Sequence, residues 1–170
     1  IPLFEQNGFV VDLDYYVYEQ TFQWLRQYSG KLPQGFRISL NVSPVHFEQP
    51  QTFIQKIQEL IDSYCVEPSF LTFEITESTY VNNPLAVNQV IRSLQNRNIH
   101  ISMDDFGSGY SSLNTLKDLL FDEVKIDRMF LGDTISKSGH IVLEEIFHML
   151  KRMKKSIVCE GVETQKVADF

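Results

Sequence analysis

Two hydrophobic periods alternate along this chain, and that alternation restricts its fold more than any other feature. Stretches in which every second residue is apolar, the mark of a strand, take turns with stretches whose apolar residues recur at helical spacing. FRISLNVS (36–43), LTFEITES (71–78), HISMDDFG (100–107), EVKIDR (123–128) and SIVCEGVE (156–163) read as strands. Between them, helices are predicted over Asp14–Tyr28, over residues 51–64 with Phe53, Ile54, Ile57, Leu60 and Ile61 on one stripe, and along Ala86, Val87, Val90, Ile91 and Leu94. A short helical piece carries Leu113, Leu116 and Leu120, and a helix near His140–Lys154 is expected to bury Ile146, Phe147, Leu150 and Met153. Strand and helix in turn, at intervals of roughly thirty residues, imply βαβ units and a parallel sheet.

Successive strand side chains face opposite ways, so each strand splits into two rows. The apolar rows (Ile38, Leu40, Val42; Leu71, Phe73, Ile75; Ile99, Ile101, Met103; Val124, Ile126) pack under helices. The other rows then place Asn41, Glu74, Asp104 and Lys125 on one face. Glu160 falls at the equivalent height of the fifth strand, although Val158 and Val162 share its row. An open doubly wound sheet buries both faces under helices and leaves no room for a polar row. A barrel does, because its inward row converges at the mouth formed by the strand C-terminal ends.

The adjacent carboxylates of ISMDDFGSGYSS (101–112) fit that mouth. Side by side, they resist joint ionisation unless solvent or a cation separates them. Asp104 closes its strand pointing inward and Asp105 opens the loop, with Gly107 and Gly109 permitting the tight turn. The pair is then suited to divalent cations, Asp104 bridging two and Asp105 completing the second site. Plainer roles exist for each part: a double Asp before glycines also caps helices or solvates turns, Lys125 also suits a snorkelling surface lysine, and Glu160 a helix-start carboxylate. GSGYSS lacks the last glycine of a dinucleotide loop. His46, His100, His140 and His148 show no ligand spacing and are given no role, and Trp24 with the tyrosines of DYYVYEQTFQWL is expected to line a helix packed on the barrel.

At 170 residues the chain suits one domain or part of one, and its 43% hydrophobic, 22% charged composition is that of a folded globular protein. The formal charge of −7 argues against a DNA or RNA polymer as partner, which calls for a basic surface. Cys65 and Cys159 stand far apart and read as free thiols of a reducing compartment. With no span of about 18 apolar residues and no signal sequence, the reading is cytoplasmic, without membrane insertion. Opening on IPLFEQNG without Met and stopping on KVADF, the chain reads as excised from a longer, even membrane-anchored, protein.

NVS (41–43), FEITES (73–78), MDDFGSGYSSL (103–113), VKIDR (124–128) and CEGVET (159–164) resemble, in order and spacing, the EAL domains, bacterial cyclic di-GMP phosphodiesterases. The resemblance covers residues 1–170 as a single partial EAL domain and implies an α/β fold, a modified TIM-like (β/α) barrel. It implies that Asn41, Glu74, Asp104 and Asp105 bind two divalent cations, Mg²⁺ or Mn²⁺, with Glu160 at the metal site. Lys125 is implied to position or activate the attacking water, so that Lys125, Glu160 and Asp105 carry catalysis. Glu77 would hold the loop after Asp105, a loop that with its adjoining helix also serves a homodimer. Asp127 and Glu163 would orient the lysine and the ligands. The implied reaction is a two-metal in-line displacement that opens cyclic di-GMP to linear pGpG.

The resemblance leaves gaps. The Glu-Ala-Leu motif of the first strand and the glutamine-bearing segment near the family's C-terminus are not in the sequence, so a metal ligand and part of the guanine pocket are missing. The substrate-binding residues are not assigned. The expectation is an active parent and a 170-residue piece that is weakly active or inactive. A non-catalytic cyclic di-GMP receptor or dimerisation module is the alternative, separated from the enzyme by whether Glu precedes Ile1 in the parent. A glycosidase using Glu74 and Glu160 explains neither Asp104–Asp105 nor Lys125.

Overall fold

The structure is a computed structural model and describes residues 2–108, 120–130, 137–163 and 165. Its helices are α1 (Pro2–Gln6), α2 (Phe9–Tyr28), α3 (Pro50–Tyr64), α4 (Glu77–Asn82), α5 (Pro84–Gln95) and α6 (Lys137–Arg152). The strands are β1 (Ile38–Asn41), β2 (Leu71–Thr76), β3 (His100–Phe106), β4 (Glu123–Ile126) and β5 (Ser156–Cys159), and their order in the sheet is their order in the chain. Gly109 and the helical piece expected along Leu113 and Leu116 lie outside the described residues. Among the described residues, no helix is long and apolar enough to cross a membrane.

Two compact units divide the chain, one of Ile1–Ile75 with Asn83–Ile101, the other of Thr76–Asn82 with Ser102–Phe170. In the first, β1 pairs parallel to β2 with Ile38 opposite Leu71 and Asn41 opposite Glu74. α3 buries the predicted stripe of Phe53, Ile54, Ile57, Leu60 and Ile61, and its N-terminal Pro50 sits where a missing N–H is harmless. α5 buries Val87, Val90, Ile91 and Leu94, again as the period requires. α2 starts five residues earlier than Asp14, because the Asn7 side chain accepts the first helical N–H, from Phe9 (3.0 Å), across a left-handed Gly8. That cap is not adjacent to the helix, so the usual start signal is absent. α2 also corrects the expectation for Trp24. Tyr18, Phe22 and Leu25 occupy the inward face, and the helical period turns Tyr16 and Trp24 outward into solvent. Trp24 instead packs against Tyr28 and Phe36, at centroid distances of 5.0 and 6.1 Å.

In the second unit, β4 pairs parallel to both β3 and β5. β2, β4 and β5, like β1 in the first unit, end earlier than alternation suggests. Thr76 ends β2 because its hydroxyl engages those of Ser78 (3.2 Å) and Thr79 (2.8 Å), and the Thr79 N–H (3.4 Å); local bonding of this kind starts a helix, which takes Glu77 out of the strand. Arg128 belongs to a tight turn (Arg128–Phe130), and residues 160–163 follow β5 without regular secondary structure. α6 buries Leu143 and Leu150, whereas Ile146, Phe147 and Met153, expected in the core, are half-buried.

The two faces of α6 separate energetically. Leu143→Ala, at a fully buried position, is expected to lower stability by about 2–5 kcal/mol. Ile141→Ala, at a position 63% exposed, is expected to change it by less than about 0.5 kcal/mol. Urea denaturation of both variants checks the difference, and equal losses contradict the packing described.

Candidate functional site

The Asp pair sits in a bulge. Met103 is opposite Val124 and Phe106 opposite Ile126, so β3 takes three steps where β4 takes two. Met103 and Phe106 are both buried, although three positions apart, which regular alternation forbids. The extra residue resets the row, and Asp104 and Asp105 fall between the two apolar anchors, both half-buried. Asp105 adopts a left-handed backbone, φ 56°, which Asp tolerates better than most residues. This corrects the expectation that Asp105 opens the loop: the strand runs on through Phe106, and the turn begins at Gly107, φ 94°. Glu77, fully buried at the start of α4, accepts the Gly107 N–H through Oε2 at 2.9 Å.

Lys125 projects from β4 between two carboxylates. Its Nζ lies 2.9 Å from Asp104 Oδ1 and 2.7 Å from Glu160 Oε1. Both strand ends beside it are fixed by backbone bonds, Asp127 N–H to the Phe106 carbonyl (3.1 Å) and Glu160 N–H to the Ile126 carbonyl (3.0 Å). Gly161 then passes so close to Arg128 that a Cβ there would stand 2.4 Å from the Arg128 Cβ, at a φ of +70°. Asp127 Oδ1 accepts the Met129 N–H at 2.7 Å, starting the turn after β4, and Glu163 is exposed.

Negative charge outweighs positive around Asp105. Burial pushes its carboxyl above the ordinary value, and the charges of Asp104, Asp127 and Glu160 push the same way; Lys125 opposes them. Donor chemistry here is all oxygen, which fits hard divalent cations such as Mg²⁺ or Mn²⁺. Among the described residues, no group of three or more His, Cys, Asp or Glu side chains is gathered as a metal cluster, and the cation between Asp104 and Glu160 is the lysine ammonium.

In the first unit Asn41 stands at the end of β1 with its side chain exposed, opposite Glu74, which is 9% exposed. Asp14 and Tyr18, one helical turn apart on α2, reach this strand end. Tyr18 donates its hydroxyl to the Asn41 carbonyl (2.6 Å), and Asp14 Oδ2 accepts the Ser43 N–H (3.3 Å) and lies 2.9 Å from His46 Nε2. Burial, with the charge of Asp14 next, pushes the Tyr18 phenol far above its ordinary range, so it remains a donor. His46, given no role from sequence, is 4% exposed, with Phe53 and Tyr15 rings at 4.7 and 5.2 Å. Nothing in its spacing announced this, since its partner lies 32 residues away.

A match to the EAL domain family extends over residues 1–170. The chain belongs to the EAL domain family. This EAL chain is 33% identical over 171 residues to the probable cyclic di-GMP phosphodiesterase PdeG of Escherichia coli K12, covering 100% of itself and 34% of PdeG. It is 30% identical over 171 residues to the bifunctional diguanylate cyclase/cyclic di-GMP phosphodiesterase MucR of Pseudomonas aeruginosa, covering 100% of itself and 25% of MucR. The solved PaMucR phosphodiesterase, in complex with c-di-GMP, matches it with a TM-score of 0.86 at 30% identity, over 99% of this chain and 73% of that one. The chain spans about a third or less of the length of these curated relatives. The fold class is the one expected, α/β of the TIM-like barrel type, with five parallel strands described where a complete barrel of that type has eight.

Two outcomes follow from the geometry. A raised carboxyl holds its proton more tightly folded than unfolded, so the contribution of Asp105 to stability is fully present below the ordinary Asp value of about 3.9 and is lost as pH rises through the raised one. In metal-free buffer, Asp105→Asn is therefore expected to raise the melting temperature at neutral pH, the gain vanishing as pH falls to that ordinary value; a variant no more stable at neutral pH contradicts the electrostatics. Gly161→Ala is expected to lower stability by about 1–3 kcal/mol through strain. Gly30→Ala, with nothing within 4 Å, serves as the neutral control in the same denaturation series.

Proposed function

We propose that this chain is part of a single EAL domain that hydrolyses one phosphodiester of cyclic di-GMP, giving linear pGpG. The carrying observation is Lys125 held between Asp104 and Glu160, with Asp105 turned out of the regular ladder by the adjacent bulge. Membership of the family and the phosphodiesterase names of PdeG and MucR support the same reading.

Asn41 and Glu74 of the first unit, and Asp104, Asp105 and Glu160 of the second, are the metal ligands in this reading, for two Mg²⁺ or Mn²⁺ ions. When bound, such ions supply Lewis-acid stabilisation of phosphate charge and a more acidic water. Lys125 keeps a fixed positive charge beside the phosphate and directs its N–H donors at the attacking water, its ammonium oriented by the two carboxylates. Asp105 is the carboxylate best placed to hold a proton, because burial first, and its acidic neighbours next, raise its proton affinity. Glu77 braces the backbone just after the Asp pair through Gly107, while Asp127 and Glu163 follow the two strand ends that present Lys125 and Glu160. The free thiols Cys65 and Cys159 accord with a cytoplasmic location. Homodimerisation through the segment after Asp105 and its adjoining helix rests on the family resemblance.

Chromatography of cyclic di-GMP incubated with the chain and Mn²⁺ tests the reading against an Asp104→Asn control. The family's Glu-Ala-Leu motif is not among these 170 residues, so slow formation of pGpG is expected, lost in the variant. Product from both proteins removes Asp104 from the mechanism. Product from neither leaves the enzyme reading to the parent alone, and a chain extended upstream that binds cyclic di-GMP without opening it favours a receptor.

A further inference from the structure

We propose that Tyr18 and Asp14 are positioning residues that aim the Asn41 carboxamide for metal binding, an inference that rests on the reading of Asn41 as a ligand. Three hydrogen bonds converge on the chain just after Asn41. Tyr18 takes the Asn41 carbonyl at 2.6 Å, the Glu74 carbonyl takes the Val42 N–H at 2.9 Å, and Asp14 takes the Ser43 N–H at 3.3 Å. Two consecutive peptide planes are thereby held, the first at both its carbonyl and its N–H. The first of these planes follows the Asn41 Cα and the plane before it lies in the β1–β2 ladder, so the backbone torsions that set the direction of the Asn41 side chain have little freedom.

The hydroxyl of Tyr18 has no packing reason to be there. The residue is 1% exposed, its ring edge-on to Phe73 at 5.5 Å and Tyr15 at 6.0 Å and near Phe53 and His46 at 6.4 Å, ring contacts that a phenylalanine would also make. A buried hydroxyl without a partner is unfavourable, so its burial depends on the Asn41 carbonyl. Asp14 is steadied in turn by His46, whose Nε2 lies 2.9 Å from the same oxygen that accepts Ser43. Both side chains rise from one face of α2, so the helix grips the strand end at two adjacent peptides instead of merely lying against it. Groups that orient a ligand without touching the ion typically change metal affinity by about 10- to 100-fold when removed.

The test is a Mn²⁺ titration of the 170-residue chain, following free Mn²⁺ by electron paramagnetic resonance, with melting temperature measured alongside. Tyr18→Phe is expected to weaken Mn²⁺ binding by about tenfold, and Asp14→Asn to act in the same direction. Tyr64→Phe, which removes a hydroxyl bonded to Glu19 at 2.8 Å elsewhere in the same unit, is expected to leave affinity unchanged. On an Asn41→Ala background, Tyr18→Phe should produce no further loss, because the side chain it aims is gone. A lower melting temperature with unchanged affinity, or a full further loss in the double variant, overturns the proposal by making Tyr18 structural only. If Asn41→Ala binds Mn²⁺ as the unaltered chain does, Asn41 is no ligand, and the metal reading at that residue falls together with the inference.

Discussion

One residue too many in β3 organises the charged end of the second unit. Between Met103 and Phe106 the strand must keep two apolar side chains in the core while spending two positions where regular pairing allows one. The bulge solves this by withdrawing both Asp104 and Asp105 from the alternation. Without it, one carboxylate would turn to the apolar face, where it would lack a partner. Lys125 is the counter-charge that makes the arrangement tolerable, and its contact with Glu160 as well as Asp104 ties β4 to the chain after β5. A single ammonium does not balance the carboxylates around it, and the carboxyl of Asp105 is raised by burial first and by that remaining negative charge second.

The side chains that hold these groups are mostly unable to take part in chemistry themselves. Glu77 is sealed from solvent and spends Oε2 on the Gly107 N–H, Asp127 spends Oδ1 on the Met129 N–H, and Gly161 contributes only the absence of a Cβ. The first unit shows the same division: Asn41 is exposed, whereas Tyr18 is buried and Asp14 half-buried. Rigidity is supplied from the core side of each strand end.

Hydrophobic period made the helices and strands legible, and the stripes of α3 and α5 are those the spacing names. Two-residue alternation also brought Asp104 and Lys125 to one face, and the structure places them in contact. What stayed hidden has specific physical causes. A bulge shifts the row without any glycine in the strand to announce it, so Asp105 was read as loop. Alternation carries the strand on through Glu77 and Ser78, but the hydroxyl of Thr76, the last residue of β2, pairs locally with Ser78 and Thr79 and starts a helix. Tyr18, Asp14 and His46 form bonds across 23 to 32 residues of sequence, a separation at which no periodicity carries information.

That last class of bond has a consequence for how such a chain tolerates change. Apolar positions of α2 such as Phe22 and Leu25 accept other side chains of similar volume, since burial is not directional. Asp14 and Tyr18 do not, because each is matched to one backbone group at a set distance and angle. The helix thus carries two kinds of constraint on one face, and only the directional kind reaches the end of β1. In the second unit the comparable directional contact is Glu77 on Gly107, made from the short α4 to the backbone just beyond the Asp pair. Within each unit, then, a charged or polar side chain from a helix fixes the backbone beside a strand-borne oxygen-bearing side chain, and the apolar core beneath sets only where that helix lies.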